Sequence, residues 1–303
     1  MAQMSTVTKT NFNTRARTWL LIAGLSGLLV GIGFLIGGGA IYLFVAIAVI
    51  MNLVGYWFSD KIAIKASKAQ PVPDGQLPEV RAIVSELSRL FDVPEPRLYL
   101  IPSEQPNAFA TGRNPSHAAV AVTQGLLRHM PTDQVRGVMA HEFAHIKNRD
   151  ILVSSIAAMI AAAIAWVANI LQFSLLFGGG NRDNPLGIVG MLATIIIAPL
   201  AAMVLQMAVS RQREYLADAS AARRLGEGRS LADALGTLKR GTEAIPLEVN
   251  PATASLYIAN PMAAMRGRGL TSLFSTHPPI EERISRLETI HQELAGVRRY
   301  TFE

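Results

Sequence analysis

Four stretches of this 303-residue chain contain no Asp, Glu, Lys or Arg: Trp19 to Ile36, Ala40 to Phe58, Ile151 to Phe177 and Leu186 to Ser210. Each reaches the roughly 17–25 apolar residues that a helix needs to cross a bilayer. A mean hydropathy of +0.30, half the residues hydrophobic and only 17% charged, is too apolar for an ordinary water-soluble chain of this length. The expected fold is therefore a mainly α membrane protein with four hydrophobic helices, a soluble core hairpin being the alternative for the last two stretches. Lys9, Arg15 and Arg17 before the first stretch resemble a signal-peptide approach, but Gly37, Gly38 and Gly39 lead straight into a second apolar segment, which favours an uncleaved anchor. Gly33 and Gly37 have the spacing of a helix-contact motif, and Ser154, Ala158 and Ala162 would let a neighbouring helix approach closely.

Cations set the orientation. Lys9, Arg15 and Arg17 precede the first stretch and Lys61, Lys65 and Lys68 follow the second, whereas the linker between the third and fourth carries only Arg182 against Asp183. Positive charge marks the cytoplasmic side, so both termini and the soluble parts are expected there. The excess of 28 basic over 22 acidic residues is explained by this pattern and by attraction to anionic lipid, and no nucleic-acid partner is implied. The absence of cysteine excludes disulfides and thiolate ligands.

The chemistry is concentrated in Val138 Met139 Ala140 His141 Glu142 Phe143 Ala144 His145 Ile146 Lys147, an HExxH run inside a helical segment. Positions four apart share a helix face, so two imidazoles can converge on one zinc ion while Glu142 stands beside it to handle the proton of a water. A catalytic zinc takes a third protein ligand and keeps one position open. Glu214 in Ser210 Arg211 Gln212 Arg213 Glu214 Tyr215 Leu216 Ala217 Asp218 is the candidate, with Asp218 one turn on to hydrogen-bond a ligand histidine and fix its tautomer. Taken alone this segment reads equally as a solvated helix on which Arg211 and Glu214, or Arg213 and Asp218, balance charge; the HExxH helix favours the ligand reading. His145 lies six residues before Ile151 and Glu214 four after Ser210, which places both within roughly 10 Å of the membrane surface if the helices continue. The expected site opens where membrane meets cytosol.

Elsewhere, Glu79 to Phe91 carries a helical stripe of Val80, Ile83, Val84, Leu87, Leu90 and Phe91. Leu98 to Ile101, Ala108 to Thr111 and Ala118 to Val122 are short apolar runs bounded by Pro, Asn and Gly, which predict a small three-stranded sheet. Ser230 is placed to cap a helix with Leu231, Leu235 and Leu238, and Pro279 to Leu294 repeats Ile280, Ile284, Leu287, Ile290 and Leu294. Gly241 to Ser275 has weak periodicity and is expected to be a mobile loop near the cleft. Asp150 reads as an N-cap for the third apolar stretch. The chain divides into an N-terminal arm and hairpin (1–60), a first catalytic half (61–150), a second hairpin (151–210) and a second catalytic half (211–303).

HEFAH followed by Asn148 and Asp150, the SRQREYLAD segment, the upstream Asn107 Ala108 Phe109 Ala110 Thr111 Gly112 and the late Ser275 Thr276 His277 Pro278 Pro279 together resemble the HtpX family of membrane-integrated heat-shock zinc proteases, relatives of the CaaX prenyl proteases. The resemblance implies a cytoplasmic zincin-like (gluzincin) metalloprotease domain in a bacterial inner membrane. It also implies one zinc held by His141, His145 and Glu214, with Glu142 as base, and misfolded or damaged membrane proteins, including copies of itself, as substrates. It further implies that Asn107 lies on an edge strand that pairs with substrate backbone, and that His277 and Arg283 face the cleft to steady an oxyanion. The alternative for Asn107 is a turn residue after Pro106, and for His277 a helix-entry residue before Pro278 and Pro279. The runner-up is a CaaX-type prenyl-peptide protease. A noncatalytic scaffold with structural zinc would need a fourth protein ligand, and a transporter would need ionisable groups in its crossings, where only amides such as Asn52, Asn169, Gln172 and Gln206 occur. Oligomeric state is left open by the sequence.

Overall fold

The computed structural model describes residues 39–154, 211–245, 257–259 and 278–300, with a few positions between 23 and 34. The helices are α1 (Ala40–Ala66), α2 (Pro78–Phe91), α3 (Gln124–His129), α4 (Thr132–Asn148), α5 (Arg211–Leu225), α6 (Arg229–Ala244) and α7 (Ile280–Tyr300), and the strands are β1 (Gln70–Pro71), β2 (Arg97–Ile101), β3 (Ala108–Gly112) and β4 (Ala118–Thr123). The sheet order is β1-β2-β4-β3, with β2 parallel to β4 and the other pairs antiparallel.

The expected three strands are present, but the sheet has four. Gln70 and Pro71 pair with Leu100 and Tyr99; two residues carry no readable alternation, and a proline has no N–H to give, which is tolerated only at an edge. Alternation along the other strands divides the sheet into two buried faces. Leu98, Ala108, Ala110, Ala118, Val120 and Val122 join the main helical core, whereas Ile101, Phe109 and Ala121 pack with Ala63 of α1 and with Tyr257. Both faces are covered, so these strands read as apolar runs.

Helix α2 starts with Pro78 at its first turn and buries Val80, Ile83, Val84, Leu87 and Phe91, the 3.6-residue stripe of a helix with one wet face. Helix α4 is different: Val135 and everything from Gly137 to Ala144 are buried, so it runs through the middle of the core. A Cβ on Gly137 would lie 2.7 Å from the Leu231 nitrogen, and glycine is what lets α6 approach so closely. Ser230 does not cap α6. The Glu227 carboxylate accepts hydrogen bonds from the Arg229 and Ser230 amides at 2.6 and 3.0 Å, and Gly228 is the terminal residue because a Cβ there would meet the Leu287 carbonyl at 2.5 Å. The loop expected from Gly241 onward begins as the last turn of α6, held where Gly241 packs against Pro106.

Helix α1 covers the second apolar stretch and exposes Tyr42, Leu43, Val49, Ile50, Leu53 and Trp57. Among the described residues no single helix is long and apolar enough to cross a bilayer; Ile41–Val54 and Tyr56–Ala66 pass together, bent by 70° around Gly55, a residue type at which helices kink. Asn52 donates to Ser26 at 2.8 Å, tying α1 to the first apolar stretch. The rest of that stretch and nearly all of 151–177 and 186–210 lie outside the described residues. Gly137→Ala is expected to destabilise the protein by about 1–3 kcal/mol through overpacking, read as a lower thermal midpoint in detergent; an unchanged midpoint would contradict the close α4–α6 packing.

Candidate metal centre

Two helices build the centre, and each supplies residues one turn apart. His141 and His145 project from α4, Glu214 and Asp218 from α5. Buried alanines on both, Ala140 and Ala144 against Ala217 and Ala221, leave room for the helices to lie close enough that short carboxylate and imidazole side chains meet. The Nε2 atoms of the two histidines are 3.1 Å apart. Glu214 Oε2 is 3.6 Å from His141 Nε2, and its Oε1 is 3.5 Å from His145 Nε2. Bonds of roughly 2.0–2.1 Å in tetrahedral geometry place ligand atoms about 3.3–3.5 Å apart, so this donor set fits one divalent ion.

Charge points the same way. Among the described residues the buried ionisable side chains other than His141 are Glu142, Asp150, Glu214 and Asp218 against Arg213 and Arg283. Four carboxylates facing two guanidinium groups leave two negative charges to be balanced. Burial pulls the His141 imidazole down, but its hydrogen bonds to the accepting Asp218 and Glu214 carboxylates outweigh it and lift the ring to about 9. The cavity thus attracts positive charge, whether a proton or a metal.

Behind the ligands stands a supporting layer. His141 Nδ1 is 2.9 Å from Asp218 Oδ1, the contact expected of Asp218. Burial opposes ionisation of Asp218, yet the charge and hydrogen bonds of Arg283 hold its pKa below the ordinary carboxylate range. Arg283 is fully buried and donates through Nε and Nη2 to the two Asp218 oxygens, both at 2.8 Å. Its Nη1 donates to the Ile258 carbonyl at 3.1 Å, and Nη2 is 3.4 Å from His141 Nδ1. Glu142 is also buried, and its Oε2 accepts from the Ala110 amide at 2.7 Å. Burial raises its pKa, partly offset by the neighbouring histidines and that amide, which makes it a better proton acceptor than a solvated carboxylate.

Asn107 precedes β3, the sheet edge nearest the centre; its amide bonds Thr123 Oγ1 at 2.9 Å and its side chain bonds the Ala259 backbone. His277 lies outside the described residues. Two partners were not legible in the sequence. Asp150, read as a helix cap, places Oδ2 3.3 Å from His145 Nδ1; Arg149 at φ 61° breaks the helix first, so no helical spacing links the pair. The Ala110 amide is a backbone group, and side-chain motifs carry no sign of it.

The family M48 peptidase profile ("Peptidase family M48") matches residues 75–291. The chain belongs to peptidase family M48. It is 49% identical over 284 residues to the Protease HtpX homolog of Syntrophobacter fumaroxidans, covering 91% of this chain and 99% of that protein. Against the Protease HtpX homolog of Pyrococcus furiosus it is 48% identical over 281 residues, covering 92% and 96%. Among solved structures, S. mikatae Ste24p matches at 20% identity and TM-score 0.47, over 92% of this chain and 67% of that one. This M48 peptidase is thus a membrane-bound metalloprotease of the HtpX type.

Removing a ligand should remove the metal: His141→Ala and Glu214→Ala are expected to purify without stoichiometric metal. Asp218→Asn should lower the thermal midpoint, because it leaves buried Arg283 without its counter-charge, and the protein that remains folded should bind metal about 10–100-fold more weakly, read by competition with a chelator. Wild-type affinity in Asp218→Asn would show that its bond to His141 does not support the ligand.

Proposed function

We propose that this metalloprotease is a zinc-dependent endopeptidase of the bacterial cytoplasmic membrane that cleaves misfolded or damaged membrane proteins, copies of itself included. Two imidazoles and one carboxylate are the donor set zinc favours in peptidases. In this reading 1–60 and 151–210 are hydrophobic hairpins, giving four membrane helices, and 61–150 and 211–303 are the halves of a zincin-like catalytic domain on the cytoplasmic side. Lys61, Lys65 and Lys68, which follow the second apolar stretch, and the cation-poor linkers support that orientation. The observation that carries the function is the convergence of His141, His145 and Glu214 with buried Glu142 beside them.

His141, His145 and Glu214 would hold the zinc, which would supply Lewis acidity toward the scissile carbonyl and toward a water. Glu142 takes the water proton and returns it to the leaving amine, and its bond from the Ala110 amide fixes the carboxylate plane for both transfers. Asp218 holds the His141 ring in one tautomer, and Arg283 keeps Asp218 ionised while lying close enough to the site to take part in oxyanion stabilisation together with His277.

The test is cleavage of an unfolded membrane protein by purified protein in detergent, with and without a zinc-selective chelator and with zinc added back. Glu142→Gln should retain metal and lose about 10²–10⁴-fold in kcat. Chelator-resistant cleavage, or wild-type turnover by Glu142→Gln, would sink the proposal. Cleavage of a prenylated CaaX peptide but not of the unfolded membrane protein would replace it with the prenyl-peptidase reading.

A further inference from the structure

Just past the end of the second apolar stretch, α1 and β2 enclose a recess of about 270 Å³. Helix α1 contributes Asp60, Lys61, Ile64 and Lys65, and β2 contributes Arg97 and Tyr99. Asp60 with Ile64, and Lys61 with Lys65, are one helical turn apart, so one face of α1 presents all four. When Ile41–Val54 crosses the bilayer, the 70° bend before Tyr56–Ala66 turns this part of the helix toward the plane of the membrane surface. Tyr56, Trp57 and Phe58, which open it, are exposed, and tyrosine and tryptophan favour the headgroup level.

The recess is cationic. Lys61, Lys65 and Arg97 stand against Asp60 alone, which leaves two positive charges over. Asp60 is already engaged, its Oδ2 accepting from Arg97 Nη2 at 2.6 Å; a guanidinium has five donors, and that bond uses one. Among the described residues neither lysine is paired with a carboxylate, and Lys61 lies over the Phe58 ring at 5.3 Å. Nor does the end of α1 cancel the charge: the Ala63, Ile64 and Lys65 carbonyls accept from the Ser67, Ala69 and Lys68 amides at 3.0, 3.0 and 3.1 Å, so three of the four carbonyls orphaned at a helix C-terminus are satisfied. Beneath the cations the surface is apolar. Ile64, Ala69 and Tyr99 pack against the cluster of Ala63, Ile101, Phe109 and Ala121.

We propose that this recess binds the phosphate headgroup of an anionic phospholipid, with Lys61, Lys65 and Arg97 on the phosphate oxygens and Ile64, Ala69 and Tyr99 against the glycerol backbone. The inference rests on the membrane topology proposed above and gives it a specific lipid partner. Basic recesses beside membrane helices on the cytoplasmic side take anionic headgroups, whereas the ammonium of a zwitterionic lipid would meet two surplus positive charges. Because the lysines belong to α1 and Arg97 to β2, a bound headgroup clamps the sheet to the helix.

Lysine acetylation of the full-length protein tests the site. The protein is placed in nanodiscs of phosphatidylcholine doped with increasing phosphatidylglycerol, and modification of Lys61, Lys65 and Lys68 is followed by mass spectrometry. Lys61 and Lys65 should become protected while Lys68, exposed and outside the recess, stays reactive. In Lys65→Ala, half-protection of Lys61 should need about fivefold more phosphatidylglycerol; in Lys68→Ala it should need no more than in the wild type. Equal protection of all three lysines, or of none, would overturn the proposal, the first by reducing it to general surface attraction. Protection of Lys61 and Lys65 in undoped discs by glycerol phosphate would assign the recess to a free phosphate and overturn it as a lipid site. Should Lys65→Ala fail to fold, the wild-type pattern and the glycerol phosphate arm decide by themselves. A chain that enters no disc and stays dispersed without detergent would instead overturn the membrane topology.

Discussion

A guanidinium with no exposed surface must be neutralised where it stands, and Arg283 is neutralised by one residue above all, Asp218, through two parallel bonds of 2.8 Å. Removing one partner of such a pair strands the other charge at a cost of about 3–5 kcal/mol. Most of the centre is fixed by this contact. Asp218 also holds His141, and Arg283 reaches the Ile258 carbonyl and lies 3.9 Å from Glu214. One pair therefore joins α4, α5, α7 and the Tyr257 to Ala259 segment beside β3, and the ligand His141 is oriented by a carboxylate that cannot itself reorient. The remaining negative charge is what makes the cavity a cation site.

The sheet ties this centre to α1. Phe109 and Ala121, on the face away from α4, pack with Ala63 near the end of α1, and Arg113, just beyond β3, lies over the Trp57 ring at 4.8 Å. Trp57 is exposed and sits where the charge-free stretch gives way to Lys61 and Lys65, the position tryptophan favours at a lipid boundary. The strand whose one edge borders the metal ligands is thus anchored on its other face to the helix leaving the apolar stretch.

What could be read in advance follows from which contacts are local. His141 with His145, and Glu214 with Asp218, are four apart on continuous helices, so periodicity alone puts each pair on one face. The three main strands were visible because both of their faces are buried, which leaves uninterrupted Ala, Val, Leu and Ile runs. Contacts across breaks were not visible. Asp150 reaches His145 only because Arg149 takes a left-handed conformation, Glu227 rather than Ser230 terminates α6 because Gly228 must pass the Leu287 carbonyl, and β1 is too short to carry a pattern. Tyr257 to Ala259 reads as loop, since its order comes from backbone groups of β3 and from the Asn107 and Arg283 side chains.

The two halves of the ligand set are separated by 68 residues, between His145 and Glu214. Closing a flexible loop of that length costs on the order of 4 kcal/mol, more than a surface contact returns. In the proposed topology the intervening apolar stretches form a hairpin that leaves and re-enters the cytosol at neighbouring points, so the ends are already near each other before α4 and α5 pack. The buried Asp218–Arg283 pair and the shared ligand set then need only fix orientation, which short-range polar contacts do well. The hydrophobic insertion in this view is part of how the centre is assembled: a chain in which 151–210 failed to insert would lose the α4–α5 pairing first, and with it the site.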